Sequence, residues 1–264
     1  MKYISLLILG SLFAATSCYA DFQHVTIRQQ SESSIGVPCV GNDSIIQLRN
    51  GKVGIRTSSG KRYSLNLDEQ DEDLSAFVGS VTDSDVCVIA LKYSENDVNE
   101  SFSMFVFDEA SGRFKPSSIK MVTNPEFLND KIISEYMDGP KSRKDTACYS
   151  INAKDFFFCE QREQFSEKLE RVETCNEKSC APPVLVRPGE AVPVRATVAI
   201  EKTHFYEKKS SESFDQKQSY LIKGDKVVLN DYHRGDEGLF YQVTFFGKKT
   251  VTAWLLASAI LIDE

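Results

Sequence analysis

Between Asp43 and Leu67 the chain reads DSIIQLRNGKVGIRTSSGKRYSLNL, an alternation of apolar and polar residues interrupted at Asn50-Gly51 and Ser59-Gly60. A period of two puts every apolar side chain on one face of an extended strand, whereas a helix of the same residues would scatter them. Asn-Gly adopts the positive φ angles of a type I′ turn without strain, so two successive β-hairpins are expected here. The pattern resumes in VCVIALKY from Val86, in SFSMFVFDEASGRFKP from Ser101 with a turn at Ser111-Gly112, and in NPEFLNDKIISEYMDG from Asn124. CYSINAKDFFFCEQREQF from Cys148 adds a hairpin with Ala153 to Asp155 near its tip. Helical periodicity is convincing only in EQFSEKLERVE, from Glu163 to Glu173, and that stretch also reads as a long charged strand. Residues 21–175 are thus expected to form a mostly antiparallel β domain: a sandwich, a barrel or an incomplete propeller. The acidic run Asp68 to Asp73 reads as a solvated loop.

The first twenty residues, MKYISLLILGSLFAATSCYA, carry Lys2, an apolar run from Ile4 to Ala15 and small residues before Ala20. This is the build of a secretory signal peptide cut after Ala20, with a periplasmic destination expected. A rival reading lipidates Cys18 after Ala15-Thr16-Ser17, although a lipobox favours Leu at the first of those positions. Charges interrupt every later apolar run, so no transmembrane segment is expected. About 244 mature residues (264 minus 20) exceed one typical domain, and two are expected.

Of the seven cysteines, Cys18 leaves with the leader and Cys39, Cys87, Cys148, Cys159, Cys175 and Cys180 remain. An even number in an exported chain reads as disulfides. Sequence alone does not choose among the many pairings. Spacing favours Cys175 with Cys180 across a short loop and Cys148 with Cys159 across a hairpin, which leaves Cys39 with Cys87. There is no Cys-x-x-Cys pair or histidine cluster, so no metal site and no cofactor are expected. The sequence holds 31 Lys and Arg against 38 Asp and Glu, a net charge of −7. Losing Lys2 with the leader leaves 30 against 38, or −8. Such a chain does not bind nucleic acid through its general field and suits a basic partner.

From Cys175 to Pro193 the strand pattern breaks into CNEKSCAPPVLVRPGEAVP, whose four prolines mark a stiff linker over residues 176–194. The remainder, 195–264, strings together ATVAIEKTHFYEKK, QSYLIKGDKVVLND and GLFYQVTFFGKKTVTAWLLASAIL. In order, these resemble a bacterial SH3-like domain. An aromatic, Phe205 or Tyr206, precedes a KGDKV strand, and Phe240-Tyr241-Gln242-Val243 leads to Ala253-Trp254-Leu255 where the family has Gly-Trp-Ile. The resemblance implies a small β-barrel closed by Trp254, the only tryptophan. A small barrel has little room for a core, so burial is the expectation for Trp254. The alternative exposes Tyr206 and Trp254 in a groove for glycan or peptide.

Residues 80–165 resemble periplasmic proteins related to lysozyme inhibitors, some of them immunity proteins against secreted peptidoglycan-cleaving effectors. The resemblance rests on Phe107, Asp108, Ser111, Gly112 and Phe114 at one turn, on Asn124-Pro125-Glu126, and on Ser134, Tyr136 and Gly139. Family members often carry a calcium loop, but here only Asp83 and Asp85 stand at that place. By this resemblance a cell-wall hydrolase or secreted effector is the partner. The target-binding loop is then Tyr136 to Gly139, or Ser111, Gly112 and Arg113. The bland reading makes both ordinary turns. No catalytic residues are expected: His24, His204 and His233 lack a nucleophile motif, and the cysteines are committed to disulfides. The sequence therefore reads as a binding protein. It either inhibits a peptidoglycan hydrolase or holds peptidoglycan through the SH3-like domain.

Overall fold

The structure, a computed structural model, describes residues 21–37, 39–67, 73–80, 86–108, 110–128 and 130–263. The leader with Cys18, residues 68–72 of the acidic run, and Asp83 and Asp85 lie outside the described residues.

The chain opens with β1 (Asp21–Ile27) and then makes the four-strand meander β2 (Glu32–Val37), β3 (Gly41–Arg49), β4 (Lys52–Arg56) and β5 (Arg62–Asn66). It returns to β1 with β6 (Leu74–Ser80), β7 (Val88–Glu95), β8 (Glu100–Asp108) and β9 (Arg113–Thr123), giving a five-stranded sheet of order β1-β6-β7-β8-β9. A third meander holds β10 (Pro125–Leu128), β11 (Lys131–Asp138), β12 (Lys141–Ser150), β13 (Asp155–Ser166), β14 (Leu169–Thr174) and β15 (Val184–Val186). The fourth sheet runs through β16 (Arg195–Val198), β17 (Lys202–Lys208), β18 (Phe214–Ile222), β19 (Lys226–Gly235), β20 (Gly238–Phe246), β21 (Thr250–Leu256) and β22 (Ile260–Ile262). Its order is β18-β17-β21-β20-β19-β16-β22. The fold is mainly β, and every pairing between named strands is antiparallel. Among the described residues no helix is long and apolar enough to cross a membrane.

The first hairpin turns on Asn50 and Gly51, both at positive φ (50° and 66°), the geometry a type I′ turn requires. The five-stranded sheet is a middle layer. One face packs Val25, Ile27, Ala76, Val78, Ile89 and Leu91 against Ile46, Leu48, Val53 and Ile55 of the first meander. The other packs Val88, Ala90, Phe102, Met104 and Val106 against Ile132, Ala147 and Phe156 of the third. Burial on both sides explains why Cys87 to Leu91 is apolar without alternation. The cysteines pair as Cys39–Cys87, Cys148–Cys159 and Cys175–Cys180, as an oxidising compartment allows. Cys39–Cys87 joins the first meander to the middle layer.

Three expectations change. The stretch EQFSEKLERVE is no helix but the β13–β14 hairpin, turning at Glu167-Lys168. A bulge between Gln164 and Ser166 shifts the strand phase, so Phe165, Leu169 and Val172 acquire helix-like spacing while lying on two strands. The Pro-rich segment contains β15, the edge strand of its sheet, which pairs with β14 on one side. On the other side it makes a bridge from Val186 to Pro193, and the Leu185 carbonyl accepts from the Val194 N–H at 2.8 Å. Leu185 of β15 and Leu169 of β14 are buried in the same cluster as the fourth sheet's inner face. That face supplies Phe205, Leu221, Leu229, Val243, Leu255 and Ile260. Seven strands sharing one core curl into an open barrel. Trp254 does not plug it. Ala253 and Leu255 are buried inside, and a period of two turns Trp254 to the opposite face, where it is half-buried.

Candidate functional site

Tyr136 lies on β11 opposite Arg143 of β12 rather than at the hairpin tip. Its hydroxyl donates to the buried carboxylate of Asp145 at 2.8 Å. Burial first, and then the bond to Asp145, push its phenol well above the ordinary tyrosine value. Tyr136 therefore serves the sheet and is not a protruding plug.

The tip beyond it, Met137 to Lys141, turns on Gly139 at φ 61°. Two asparagines staple this tip to the β7–β8 turn. Asn99 Nδ2 donates to the Met137 carbonyl at 2.8 Å, and the Met137 N–H donates back to Asn99 Oδ1 at 3.2 Å. Asn124 Nδ2 donates to the carbonyls of Val98 (3.1 Å) and Glu135 (3.0 Å). The β7–β8 turn is closed by Asn96 Oδ1, which accepts from the N–H groups of Val98 and Asn99. From the other side Arg143 bridges Asp138 at 2.8 Å and Glu163 at 2.7 Å. The stapled turns present two apolar side chains to solvent, Val98 at 62% and Met137 at 41% exposure. Acids outnumber cations around them: Asp97 and Asp138 stand beside them and Glu95 and Glu100 at the ends of the turn, while Lys92 bridges Glu95 at 2.6 Å and Glu100 at 3.1 Å and Arg143 holds Asp138. The result is a fixed apolar point in a partly ion-paired rim with an excess of acids, built by two hairpins of different sheets.

Glu163 anchors the rear of this unit. It accepts from Tyr232 of β19 and pairs with Lys141 and Arg143. Burial opposes its charge, but Lys141, Tyr232 and Arg143 together outweigh burial and hold the carboxyl below its ordinary value of 4.5. Phe165 packs its ring 3.8 Å from that of Tyr232, so this junction ties the third sheet to the barrel.

Ser111, Gly112 and Arg113 form an exposed turn between β8 and β9. Ser111 Oγ donates to Asp108 Oδ2 at 2.7 Å and depresses the Asp108 carboxyl, while Gly112 takes φ 65°. This turn belongs to the opposite side of the middle layer's β8–β9 hairpin from β8's start at Glu100 and takes no part in the Val98–Met137 tip.

The structure does bring Tyr206 and Trp254 together, as direct partners of β17 and β21. Phe214 stacks on Phe240 at 4.0 Å, and Trp254 meets Phe214 edge-on at 5.4 Å. Tyr206 meets Phe240 at 5.2 Å, and Lys208 Nζ lies 5.8 Å from the centre of the Trp254 ring. The β17–β18 loop closes over this shelf at Gly235, where a Cβ would come within 2.7 Å of the Glu212 carbonyl oxygen.

Comparison with protein-family models, curated proteins and solved structures finds no match. Chemistry must then be read from the residues alone. His24 Nε2 lies 2.7 Å from Ser75 Oγ, but among the described residues no carboxylate orients the imidazole, as nucleophilic catalysis requires. The cluster of Glu173 with Cys175 and Cys180 offers no free thiolate, because the two cysteines form a disulfide. Sequence reasoning found the Tyr136–Gly139 hairpin but missed Val98 and Met137. The available signal was an apolar residue set among turn formers, in ENDVNE and in YMDGP.

Proposed function

We propose that the protein is an exported, non-catalytic binding protein that inhibits a peptidoglycan hydrolase in the periplasm. Its target is a lysozyme or a secreted cell-wall-degrading effector. The observation that carries this reading is the stapled Val98–Met137 tip with its acidic rim. A rigid apolar anchor loses little conformational freedom on binding. An acidic surround steers it to a basic enzyme and to a cleft that accepts it. The resemblance of residues 80–165 to lysozyme inhibitors supports the same partner.

Lysis of isolated cell wall by muramidases and amidases, with and without the mature protein, tests the proposal. Protection is expected, with association slowing as salt rises. Met137→Asp and Val98→Asp should each weaken inhibition by about 2 kcal/mol or more, roughly thirtyfold, as loss of a central anchor does. Both side chains are exposed, so the thermal midpoint should hold. A second reading, peptidoglycan binding by the SH3-like barrel, is favoured by the paired, half-buried Tyr206 and Trp254. Firm sedimentation with bare sacculi, lost in Trp254→Ala, together with no protection against any hydrolase, would replace the first reading with the second.

A further inference from the structure

The outward face of the β2–β5 sheet carries a shallow notch of about 620 Å³. Its floor is Gly54 in the middle of β4, directly paired with Gln47 on β3 and Ser64 on β5. A Cβ built on Gly54 would meet no heavy atom within 4 Å. The missing side chain therefore leaves open space and relieves no clash.

Gln47, Gly54 and Ser64 make this middle row polar and uncharged, with Glu32 paired to Gln47 at its β2 end, and cations flank it on both sides. Arg56 and Arg62 are partners across β4 and β5, and Arg49 and Lys52 are partners across β3 and β4. Lys52 and Arg56 stand four residues apart on one strand, about 13 Å at roughly 3.3 Å per residue. Among the described residues only Arg56 of these four has a carboxylate partner, Glu32 at 3.8 Å, with both side chains about half exposed. Such a pair is weak. In a chain of net charge −7, four cations around one gap run against the general field. Gln47 lines the same notch, and its Oε1 is enclosed and accepts no hydrogen bond. Gly112, from the Ser111–Arg113 turn, stands at the rim.

We propose that this notch binds an anionic glycan laid along the strands. Its acidic groups meet the two cationic rows, and its hydroxyls meet Gln47 and Ser64 between them. Arginine forks and the lysine ammonium match carboxylate or phosphate oxygens. Gln47 and Ser64 offer neutral amide and hydroxyl groups between the rows, and sugar hydroxyls both donate and accept, whereas a bare anion only accepts. An extended acidic peptide also carries the charges, but it turns its N–H groups sideways, parallel to the sheet. The notch belongs to a different sheet from the Val98–Met137 tip and stands or falls independently of the inhibitor reading.

Calorimetric titration of the mature protein tests the proposal. The probes are a hexauronate, a phosphorylated oligosaccharide, a neutral hexasaccharide, hexaglutamate and inorganic phosphate. Binding of at least one anionic oligosaccharide is expected, the better of the two identifying the acidic group, with no heat from the neutral sugar. Arg56→Glu with Arg62→Glu should weaken it about tenfold or more. Gly54→Leu keeps every charge, fills the notch and suits a strand, so it should abolish binding with the circular dichroism spectrum unchanged. Failure of both anionic sugars, unchanged binding in Gly54→Leu, or hexaglutamate binding as tightly as either sugar would overturn the proposal. Inorganic phosphate binding as tightly as the sugars would do the same, reducing the notch to a site for an adventitious ion only.

Discussion

Replacing Leu185 by alanine tests whether the Pro-rich segment is part of the barrel. Leu185 is fully buried, in the cluster that also holds Leu169, Leu229 and Leu255. The change removes three carbons, about 2.4 kcal/mol at roughly 0.8 kcal/mol each. If about 50 Å³ stays empty, the cavity adds about 1.2 kcal/mol at roughly 24 cal/mol per Å³. The sum is about 3.5 kcal/mol, or a midpoint lower by about 7–14 °C for a chain of this size. Trp254 is the only tryptophan and sits on the barrel, so its fluorescence during urea unfolding reads the barrel directly. Far-ultraviolet circular dichroism reads all four sheets. Leu261→Ala, at 66% exposure, serves as control and should cost under about 0.5 kcal/mol. A loss below about 1 kcal/mol by the tryptophan signal would refute the reasoning and restore a plain linker.

A fragment of residues 195–264 lacks Leu169 and Leu185, so it should unfold at a clearly lower temperature than a fragment of residues 163–264; equal midpoints would contradict the shared core. Glu163→Gln should cost about 1–2 kcal/mol at neutral pH. Because the folded carboxyl lies below 4.5, its contribution is full above that value and fades as pH falls through the folded value. The gap between variant and wild type in pH-dependent melts should therefore close in acid. Alkylation of the folded, unreduced protein should label none of Cys39, Cys87, Cys148, Cys159, Cys175 and Cys180. Losing Cys39–Cys87, 48 residues apart, should cost about 4 kcal/mol, and losing Cys175–Cys180, 5 apart, only about 2. Trp254→Ala should cost about 2 kcal/mol, less than a core aromatic would, because the side chain is only partly buried.

Local chemistry was legible in the sequence wherever a turn residue and an alternation agreed. Asn50-Gly51, the Ala153–Asp155 tip and the pairings Cys148–Cys159 and Cys175–Cys180 follow from neighbours along the chain, and Cys39–Cys87 is what those two pairings leave. What could not be read is set by contacts between distant segments. Trp254 looked like a core residue because it is large and apolar. Its side was decided by register, with Ala253 and Leu255 taking the inside. Glu163 to Glu173 mimicked a helix because a bulge and a turn reset the phase of two strands. Tyr136 looked like an anchor, but Asp145 holds it. The tip that replaces it exists only because Asn99 and Asn124 join turns from two sheets, a juxtaposition no spacing encodes.

The pairing of β1 with β6, Asp21 opposite Ser80, gives the chain a problem of timing. As it emerges amino end first, β1 is ready long before its partner has been delivered, and the whole first meander must be laid down in the interval. Until β6 arrives, β1 has no strand beside it, and Val25 and Ile27 have no middle layer to join. Closing so long a loop is slow relative to forming a hairpin. Cys87 follows β6 by only a few residues, so the thiol that can lock Cys39 arrives just as the late partner does. Before that point Cys39 is the single cysteine of residues 21–86 and has no partner within them; oxidation once Cys87 has arrived seals the closed ring.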